Sequence, residues 1–253
     1  MSTQVDPRPA EHGDHPAHLA HHFETPSQQF DAAKLGMWIF LVTEILFFAG
    51  LFCAYAVYRA NHPEMFSLGA ALLDRTLGAI NTVVLILSSF TMAMAVYFAQ
   101  RSNRRGLIIC LSLTLLGGLG FMGIKTVEYA DKIRHGKVWG AGFSYSPTAH
   151  GGEHADGAAA TGDPAHADQS ATSEQNPYAR KDMHIFMGIY FCLTGLHGLH
   201  VLAGLIVLIW LLRRAIKGHF GAHYYTPVDL GGLYWHLVDL IWIYLFPLLY
   251  LID

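Results

Sequence analysis

Five long apolar stretches divide the sequence, and they constrain the fold more than any other feature. They cover residues 35–58, 77–99, 106–124, 185–212 and 233–252. Each meets or approaches the length of about 19 residues that a helix needs to cross roughly 30 Å of hydrocarbon. The composition agrees, because 53% of the 253 residues are hydrophobic and only 14% are charged, which is wrong for a soluble surface. The sequence therefore predicts an all-α polytopic membrane protein, a bundle of five transmembrane helices.

The short loops between the apolar stretches predict how the bundle is oriented. Two of them are basic, and their charged residues are Arg101, Arg104, Arg105, Arg213, Arg214 and Lys217. Short loops rich in Arg and Lys stay on the cytoplasmic side of a membrane. We therefore expect the N-terminus in the cytoplasm and the C-terminus on the outer, periplasmic side. The net charge of −3 offers no basic face for a nucleic acid.

Two polar segments flank or interrupt the predicted membrane domain of residues 35–253. Residues 1–34 form a His-rich tail without the basic start and apolar core of a signal peptide. Residues 148–176, on the outer side, are rich in Ala, Gly and His. Neither segment has enough apolar surface to offset its ordering entropy. The prediction is a disordered cytoplasmic tail and a flexible outer loop, with solvated histidines rather than metal ligands.

Few ionisable residues lie inside the apolar stretches, so each of them is informative. They are Glu44 in the first, His197 and His200 in the fourth, and His236 and Asp239 in the fifth. Such a group is costly in hydrocarbon unless it faces protein, water or a partner. We expect these five residues to form a buried polar network between helices. Lys125 and Glu128, near the outer end of the third stretch, are expected to pair locally and let that helix end at the interface.

A metal site is the alternative interpretation of the two histidines in the fourth stretch. A separation of three residues places both imidazoles about 60° apart on one side of a helix, where other ligands could complete a site. Glu44, His236 and Asp239 are the candidates, but their spacing forms no established metal motif. The three cysteines have no paired spacing, and no C-x-x-C-H sequence for covalent haem is present. The sequence predicts no metal, no redox centre and no catalytic residue in this chain.

Several short motifs fall in the same order and spacing as in a known family. They are Leu35-Gly36-Met37-Trp38, Thr43-Glu44-Ile45-Leu46-Phe47-Phe48, Asn81-Thr82, Glu128-Tyr129, Thr194-Gly195-Leu196-His197-Gly198-Leu199-His200-Val201 and Tyr234-Trp235-His236-Leu237-Val238-Asp239. With these motifs, residues 35–252 resemble subunit III of the haem-copper terminal oxidases, the cytochrome c and quinol oxidase superfamily. The common form of that subunit has seven helices, and this chain resembles a short five-helix form that begins at the equivalent of the third.

The resemblance implies a function and a set of partners. Subunit III carries no haem or copper, packs on catalytic subunit I beside subunit II, and holds phospholipids in a cleft that sustains proton uptake and protects against turnover inactivation. Haem and copper would then reside in the partner subunits, in a bacterial inner membrane and in an assembly compatible with a respiratory supercomplex. The missing cleft wall would come from extra helices of subunit I or from a small additional subunit.

The resemblance also assigns residues. Glu44 and His197 would be the buried polar pair of the cleft, and His200 a weaker candidate for the same network. Arg214 would bind a lipid phosphate, and Trp38 would also contact lipid.

Three other functions stay open at this point. One is the related accessory subunit of a nitric oxide reductase, which has a similar five-helix form. Another is a self-sufficient membrane metalloprotein or proton carrier that uses Glu44, His197 and His200 together with Asp239. A third is a lipid-binding scaffold without a proton-linked role.

Overall fold

A computed structural model describes residues 23–71, 73–134 and 177–252 of the chain. Most of the predicted tail and the whole predicted loop of residues 148–176 lie outside these ranges. The described part is helical, and it contains no β-strand. Its helices are α1 (Pro26–Asn61), α2 (Pro63–Ala71), α3 (Arg75–Gln100), α4 (Arg104–Arg134), α5 (Pro177–Ile216) and α6 (Thr226–Tyr250).

Five of these helices are long and apolar enough to cross a membrane. The spans are α1, α3, α6, the part Arg104–Ala130 of α4 and the part Ile185–Ile216 of α5. The prediction of an all-α bundle with five membrane helices is confirmed. Four of the spans begin before the predicted apolar stretches, at Pro26, Arg75, Arg104 and Thr226. Side-chain caps at Thr25 and Asp74 start α1 and α3, and hydropathy does not reveal such caps.

The start of α1 corrects the predicted boundary of the tail. The helix begins at Pro26, where the Thr25 hydroxyl caps it by accepting a hydrogen bond of 3.2 Å from the backbone N–H of Gln28. Proline is favoured in the first helical turn because its missing N–H would be unpaired there in any case. Residues 26–34 are therefore helical, and assigning them to a disordered tail was wrong.

A short helix, α2, follows α1 and was not predicted. Its nine residues reach about 14 Å at 1.5 Å per residue, too short to span a membrane. Phe66 is fully buried, and its ring meets Tyr55 of α1 and Phe186 of α5 edge to face at 5.1 and 5.3 Å. The short helix thus fastens the end of α1 to α5.

Trp235 of α6 is the central side chain of the bundle. It is 1% exposed, and its indole N–H donates to the Ser88 hydroxyl of α3 at 3.1 Å. A β-carbon added to Gly118 of α4 would lie 2.6 Å from the indole, and one added to Gly204 of α5 would lie 3.0 Å from it. The ring therefore occupies space that two glycines leave open, and it joins α3, α4, α5 and α6.

Helix α1 lies at the edge of the bundle. Its buried residues, Leu41, Phe48 and Tyr55, are spaced seven apart and form one narrow stripe along the helix. This stripe packs on α6, where the Tyr55 hydroxyl donates to the Leu248 carbonyl. Most other apolar side chains of α1 are exposed. A membrane helix attached by one stripe leaves a groove beside it.

The two basic loops lie at the same end of the bundle. Arg104 donates to the Ile216 carbonyl, and the backbone N–H of Ala222 donates to the Ser102 hydroxyl at 2.8 Å. Lys34 of α1 pairs with Asp229 of α6 at 3.1 Å. The predicted orientation requires both basic loops at one end, and which side of the membrane this end faces stays a prediction.

Replacing Gly118 by Ala is expected to destabilise the bundle by about 1–3 kcal/mol, because the new methyl group would overlap the indole of Trp235. The matched control is Gly120→Ala, where an added β-carbon meets nothing within 4 Å. Thermal unfolding in detergent measures both variants. Equal melting temperatures for Gly118→Ala and Gly120→Ala would contradict the central role of the indole.

Candidate functional site

A groove of about 550 Å³ lies between α1, α5 and α6. One part of its wall is polar, with Gln29, Tyr224 and Thr226. These three residues also line an adjoining pocket of about 300 Å³ that contains His223. The rest of the wall is mainly apolar, and its larger members are Met37, Phe40, Val207, Trp210, Leu230 and Tyr234. The groove is therefore amphiphilic and follows the edge where α1 leaves the bundle.

Arg214 lies beside two residues of the groove wall, although it is not itself a lining residue. Its guanidinium carbon lies 5.0 Å from the ring centre of Trp210, 5.5 Å from that of Phe220 and 5.8 Å from that of Tyr224, and Trp210 and Tyr224 also line the groove. A guanidinium carries five N–H donors in one plane. No side-chain hydrogen bond of Arg214 occurs within the described ranges, so these donors remain available for an anion.

Glu44 of α1 pairs with His200 of α5. The Glu44 Oε2 and the His200 Nε2 are 2.9 Å apart, and the two side chains are 20% and 17% exposed. Phe48 meets the imidazole edge to face at 5.2 Å. Tyr234, which lines the groove, donates to the backbone carbonyl of His200 at 3.1 Å. The pair is thus partly enclosed and connected to the wall of the groove.

The hydrogen bonds of His200 fix the orientation of its ring. His200 Nδ1 lies 2.8 Å from the Leu196 carbonyl oxygen, and a carbonyl oxygen only accepts. Nδ1 therefore carries a hydrogen and donates it to Leu196, which directs Nε2 toward the Glu44 carboxyl group.

His197 does not contact Glu44, which corrects the pair expected from the resemblance. It is fully buried, and its ring lies 5.3 Å from that of Trp242 and 5.6 Å from that of Phe121. Neither ring nitrogen has a hydrogen-bond partner among the described residues. A rotation of about 60° around α5 separates a side chain that faces α1 from one that faces the interior between α4 and α6.

The other predicted site residues lie elsewhere. His236 Nδ1 is 2.6 Å from the Ser89 hydroxyl of α3, and Asp239 also interacts with Ser89. These two residues form a cluster separate from Glu44 and His200. Trp38 is 55% exposed on α1, and it is not part of the groove wall. The expected single network is therefore divided among three places.

A buried charged cluster joins α4, α5 and α6, and the sequence revealed only part of it. Lys125 donates to Glu128 at 2.8 Å, as expected from their spacing, and to the Tyr250 hydroxyl at 2.6 Å. Tyr190 and Tyr250 both donate to Glu128 Oε1 at 2.8 Å. The lysine ammonium lies 4.5 Å from the centre of the Trp242 ring. This cluster satisfies both charges inside the bundle.

The position of Lys125 and Glu128 differs from the prediction. The two residues are 7% and 6% exposed, and α4 continues to Arg134, so they do not mark a helix end at the interface. Tyr190 and Tyr250 lie 62 and 122 residues from Glu128. No local pattern links residues so far apart, although two charges in an apolar helix already indicated that partners were needed.

The described residues contain no group of three or more His, Cys, Asp or Glu side chains that could hold a metal ion. His200 faces α1 and His197 faces the interior, so the ligand set of the metalloprotein alternative is not brought together in the structure. The geometry offers instead an arginine beside the groove wall, a hydrogen-bonded pair of Glu44 and His200, and an amphiphilic groove.

These features define the class of protein. Five spanning helices that keep ionisable side chains in buried pairs make the chain an integral membrane protein. The family model described as cytochrome c oxidase subunit III matches residues 18–155 and 169–253. The chain belongs to this family, and it is a subunit of a haem-copper oxidase complex.

Individual relatives are similar along most of their lengths. Cytochrome c oxidase subunit 3 of Thermostichus vulcanus is 29% identical, over 88% of this chain and 89% of the relative. Probable cytochrome c oxidase subunit 3 of Mycobacterium leprae is 31% identical, over 87% of each. Quinol oxidase subunit 3 of Bacillus spizizenii is 28% identical, over 96% and 97%. These relatives include cytochrome c oxidases and a quinol oxidase, and their sequence identities to this chain are similar.

A double-mutant cycle should distinguish the observed partner of Glu44 from the one expected from the sequence. Glu44→Gln combined with His200→Asn is expected to give a coupling energy of about 0.5–3 kcal/mol, the range for residues in contact. Glu44→Gln combined with His197→Asn should be additive within about 0.5 kcal/mol. Unfolding in detergent measures the cycles. A larger coupling energy for His197 would contradict the observed pairing.

Removing the buried lysine is expected to be strongly destabilising. Lys125→Met leaves the Glu128 carboxylate without its cation, and such a loss costs about 3–5 kcal/mol. The control is Lys34→Met, which breaks a pair whose lysine is 40% exposed and should cost about 0–1 kcal/mol. Detergent unfolding compares the two variants. Similar losses would show that the cluster is not stabilised as a buried pair.

Proposed function

We propose that this chain is the non-catalytic core subunit of a proton-pumping oxygen reductase of the cytochrome c oxidase type. In this proposal it packs on catalytic subunit I, retains a phospholipid, and thereby supports proton uptake and turnover stability. The observation that carries the proposal is the amphiphilic groove, with Arg214, Glu44 and His200 beside its wall, in a chain of this family.

The groove has the dimensions and chemistry of a lipid site. Its volume of about 550 Å³ falls within the range of roughly 300–1,000 Å³ that is typical of ligand pockets, which suits an acyl chain rather than a whole lipid. An acyl chain gains little free energy when it moves from the lipid bilayer into an apolar groove of the protein. Selective retention therefore depends on the headgroup, for which Arg214 supplies a cation and Gln29, Tyr224 and Thr226 supply polar contacts.

In this proposal a lipid in the groove also shields the pair of Glu44 and His200. Glu44 and His200 are partly exposed beside Tyr234, which both lines the groove and bonds to His200. A lipid in the groove would limit access of water to the pair and keep α1 in place against α5. Loss of the lipid would then loosen α1, and the complex would lose activity faster during turnover.

The oxidation chemistry belongs to the partner subunits in this proposal. Haem and copper would be held by subunits I and II, and these subunits would also determine which electron donor the complex uses. The bundle would lie in a bacterial inner membrane, with its basic end in the cytoplasm. A partner helix, from subunit I or a small extra subunit, would cover the exposed side of α1.

Purification of the complex through an affinity tag on this chain tests the proposal. We expect a haem-bearing polypeptide to co-purify, with a reduced-minus-oxidised haem spectrum, and phospholipid to be retained in native mass spectra. Arg214→Gln should reduce the retained phospholipid about tenfold and shorten the active lifetime during turnover, because a charge-assisted contact to phosphate is lost.

Two controls accompany that experiment. Arg105→Gln removes an exposed arginine at the same end of the bundle and should leave lipid retention and lifetime unchanged. Ala203→Phe would fill the groove and should resemble Arg214→Gln, whereas Val127→Phe on the exposed side of α4 should not. A complex without haem would overturn the proposed partner, and equal lipid content in all four variants would overturn the proposed site.

A further inference from the structure

Ser89, His236 and Asp239 form a polar cluster where α3 meets α6, which the proposed lipid site does not use. His236 Nδ1 lies 2.6 Å from the Ser89 hydroxyl, and Asp239 interacts with the same serine. The helices approach closely here, because a β-carbon added to Gly232 would lie 3.2 Å from Val96. The Ser89 hydroxyl thus bonds to an imidazole in the vicinity of a carboxyl group.

The hydrogen bonds within this cluster leave polar atoms of His236 and Asp239 without a partner among the described residues. If Ser89 donates to His236 Nδ1, then Nε2 carries the ring hydrogen and needs an acceptor. If Ser89 donates to Asp239, then Nδ1–H donates to Ser89, and the neutral ring's Nε2 needs a donor. In either case Nε2 lacks a partner among the described residues. Asp239, which is 5% exposed, also has a buried oxygen, Oδ1, without a partner.

The cluster lies at the membrane depth where a missing hydrogen bond costs the most free energy. α3 is Arg75–Gln100 and α6 is Thr226–Tyr250, and at 1.5 Å per residue all three side chains start within about 3 Å of the middle of their helices. Hydrocarbon chains offer no donors or acceptors there. Lipid headgroups cannot reach this depth, so lipid alone leaves the His236 ring nitrogen unpaired.

The surface around the cluster is apolar. Three large side chains flank it and are exposed: Ile86 on α3, and Leu240 and Ile243 on α6. His236 itself is half-buried. We name this surface, formed by Ile86, Ser89, His236, Leu240 and Ile243, the α3–α6 seam, and Asp239 is buried beneath it. An apolar surface with a small polar cluster near its centre matches the way membrane helices associate, through close packing and interhelical hydrogen bonds.

We propose that the α3–α6 seam is the docking surface for a transmembrane helix of another oxidase subunit, which supplies a polar side chain to His236 at mid-membrane depth. The proposal rests on the proposed function insofar as it takes the partner from the same complex. Because Nε2 is a donor in one tautomer and an acceptor in the other, a hydroxyl or amide side chain of the partner satisfies it in both.

Photocrosslinking in native membranes tests which face of this chain meets the partner. The photoreactive amino acid p-benzoylphenylalanine replaces Ile86 or Leu240 in the seam, and in controls it replaces Leu116 or Leu119 on α4, all four of which are exposed. We expect positions 86 and 240 to give adducts with a different polypeptide of the complex. Lipid adducts alone at these two positions, or adducts between two copies of this chain, would overturn the proposal.

Substitutions in the cluster test the polar contact itself. His236→Phe keeps an aromatic ring but removes the nitrogens, and it is expected to lower the amount of haem-bearing subunit that co-purifies about threefold to tenfold. Ser112→Ala on α4 is the matched control, because among the described residues the Ser112 hydroxyl bonds only to the Ile108 carbonyl of its own helix. An unchanged yield with His236→Phe would count against the contact, and the crosslinks report on the seam even if that variant folds poorly.

Failure of this inference is distinguishable from failure of the proposed function. If the unaltered chain co-purifies without any haem-bearing subunit, the proposed function fails. If a haem-bearing subunit co-purifies but crosslinks only to position 116 or 119, the proposed function stands and the seam is not the docking surface.

Discussion

The insertion of Trp235 between two glycines is the packing interaction on which the bundle depends. In a membrane, apolar surface alone does not drive helices together, so association relies on close contact and on interhelical hydrogen bonds. Trp235 provides both, because its ring fills the space left by Gly118 and Gly204 and its N–H reaches Ser88. With four helices fixed around one side chain, the other polar groups are held at defined positions.

The ionisable side chains of the membrane helices are distributed according to how completely the bundle encloses them. Lys125 and Glu128 are enclosed by α4, α5 and α6, and two tyrosines complete their hydrogen bonds. Glu44 and His200 are partly exposed, since α1 contributes only one stripe of contact. The first pair is suited to stabilising the fold, whereas the second stays accessible beside the groove.

The peripheral position of α1 connects the fold to the proposed function. A helix that packed on its neighbours along two faces would have closed the groove and buried Glu44 and His200. The single stripe of Leu41, Phe48 and Tyr55 holds α1 to α6 while leaving space toward α5. Arg214, held by three aromatic rings, then lies where the groove becomes polar.

The sequence by itself determined the class of fold and the motifs of the family. Membrane helices reveal themselves by length and hydropathy because hydrocarbon tolerates no unpaired backbone groups, so five spans could be predicted without coordinates. Glu44, His200, His236 and Asp239 could also be identified from the sequence, because an ionisable side chain in hydrocarbon costs free energy unless it has a partner. The sequence did not predict the short helix α2, because nine residues cannot span a bilayer and leave no long apolar stretch. It also did not predict the early start of α1, because a side-chain cap and not hydropathy determines where that helix begins.

Only the tertiary structure decided which polar residues meet. Residues three apart on α5 appear equivalent in the sequence, yet His200 faces α1 and His197 faces Trp242 and Phe121. The partners of Glu128 on α5 and α6 lie 62 and 122 residues away, and no periodic pattern encodes such a pairing. The rotation of each helix about its own axis is fixed by packing against its neighbours, and for that reason hydropathy predicts the helices but not their contacts.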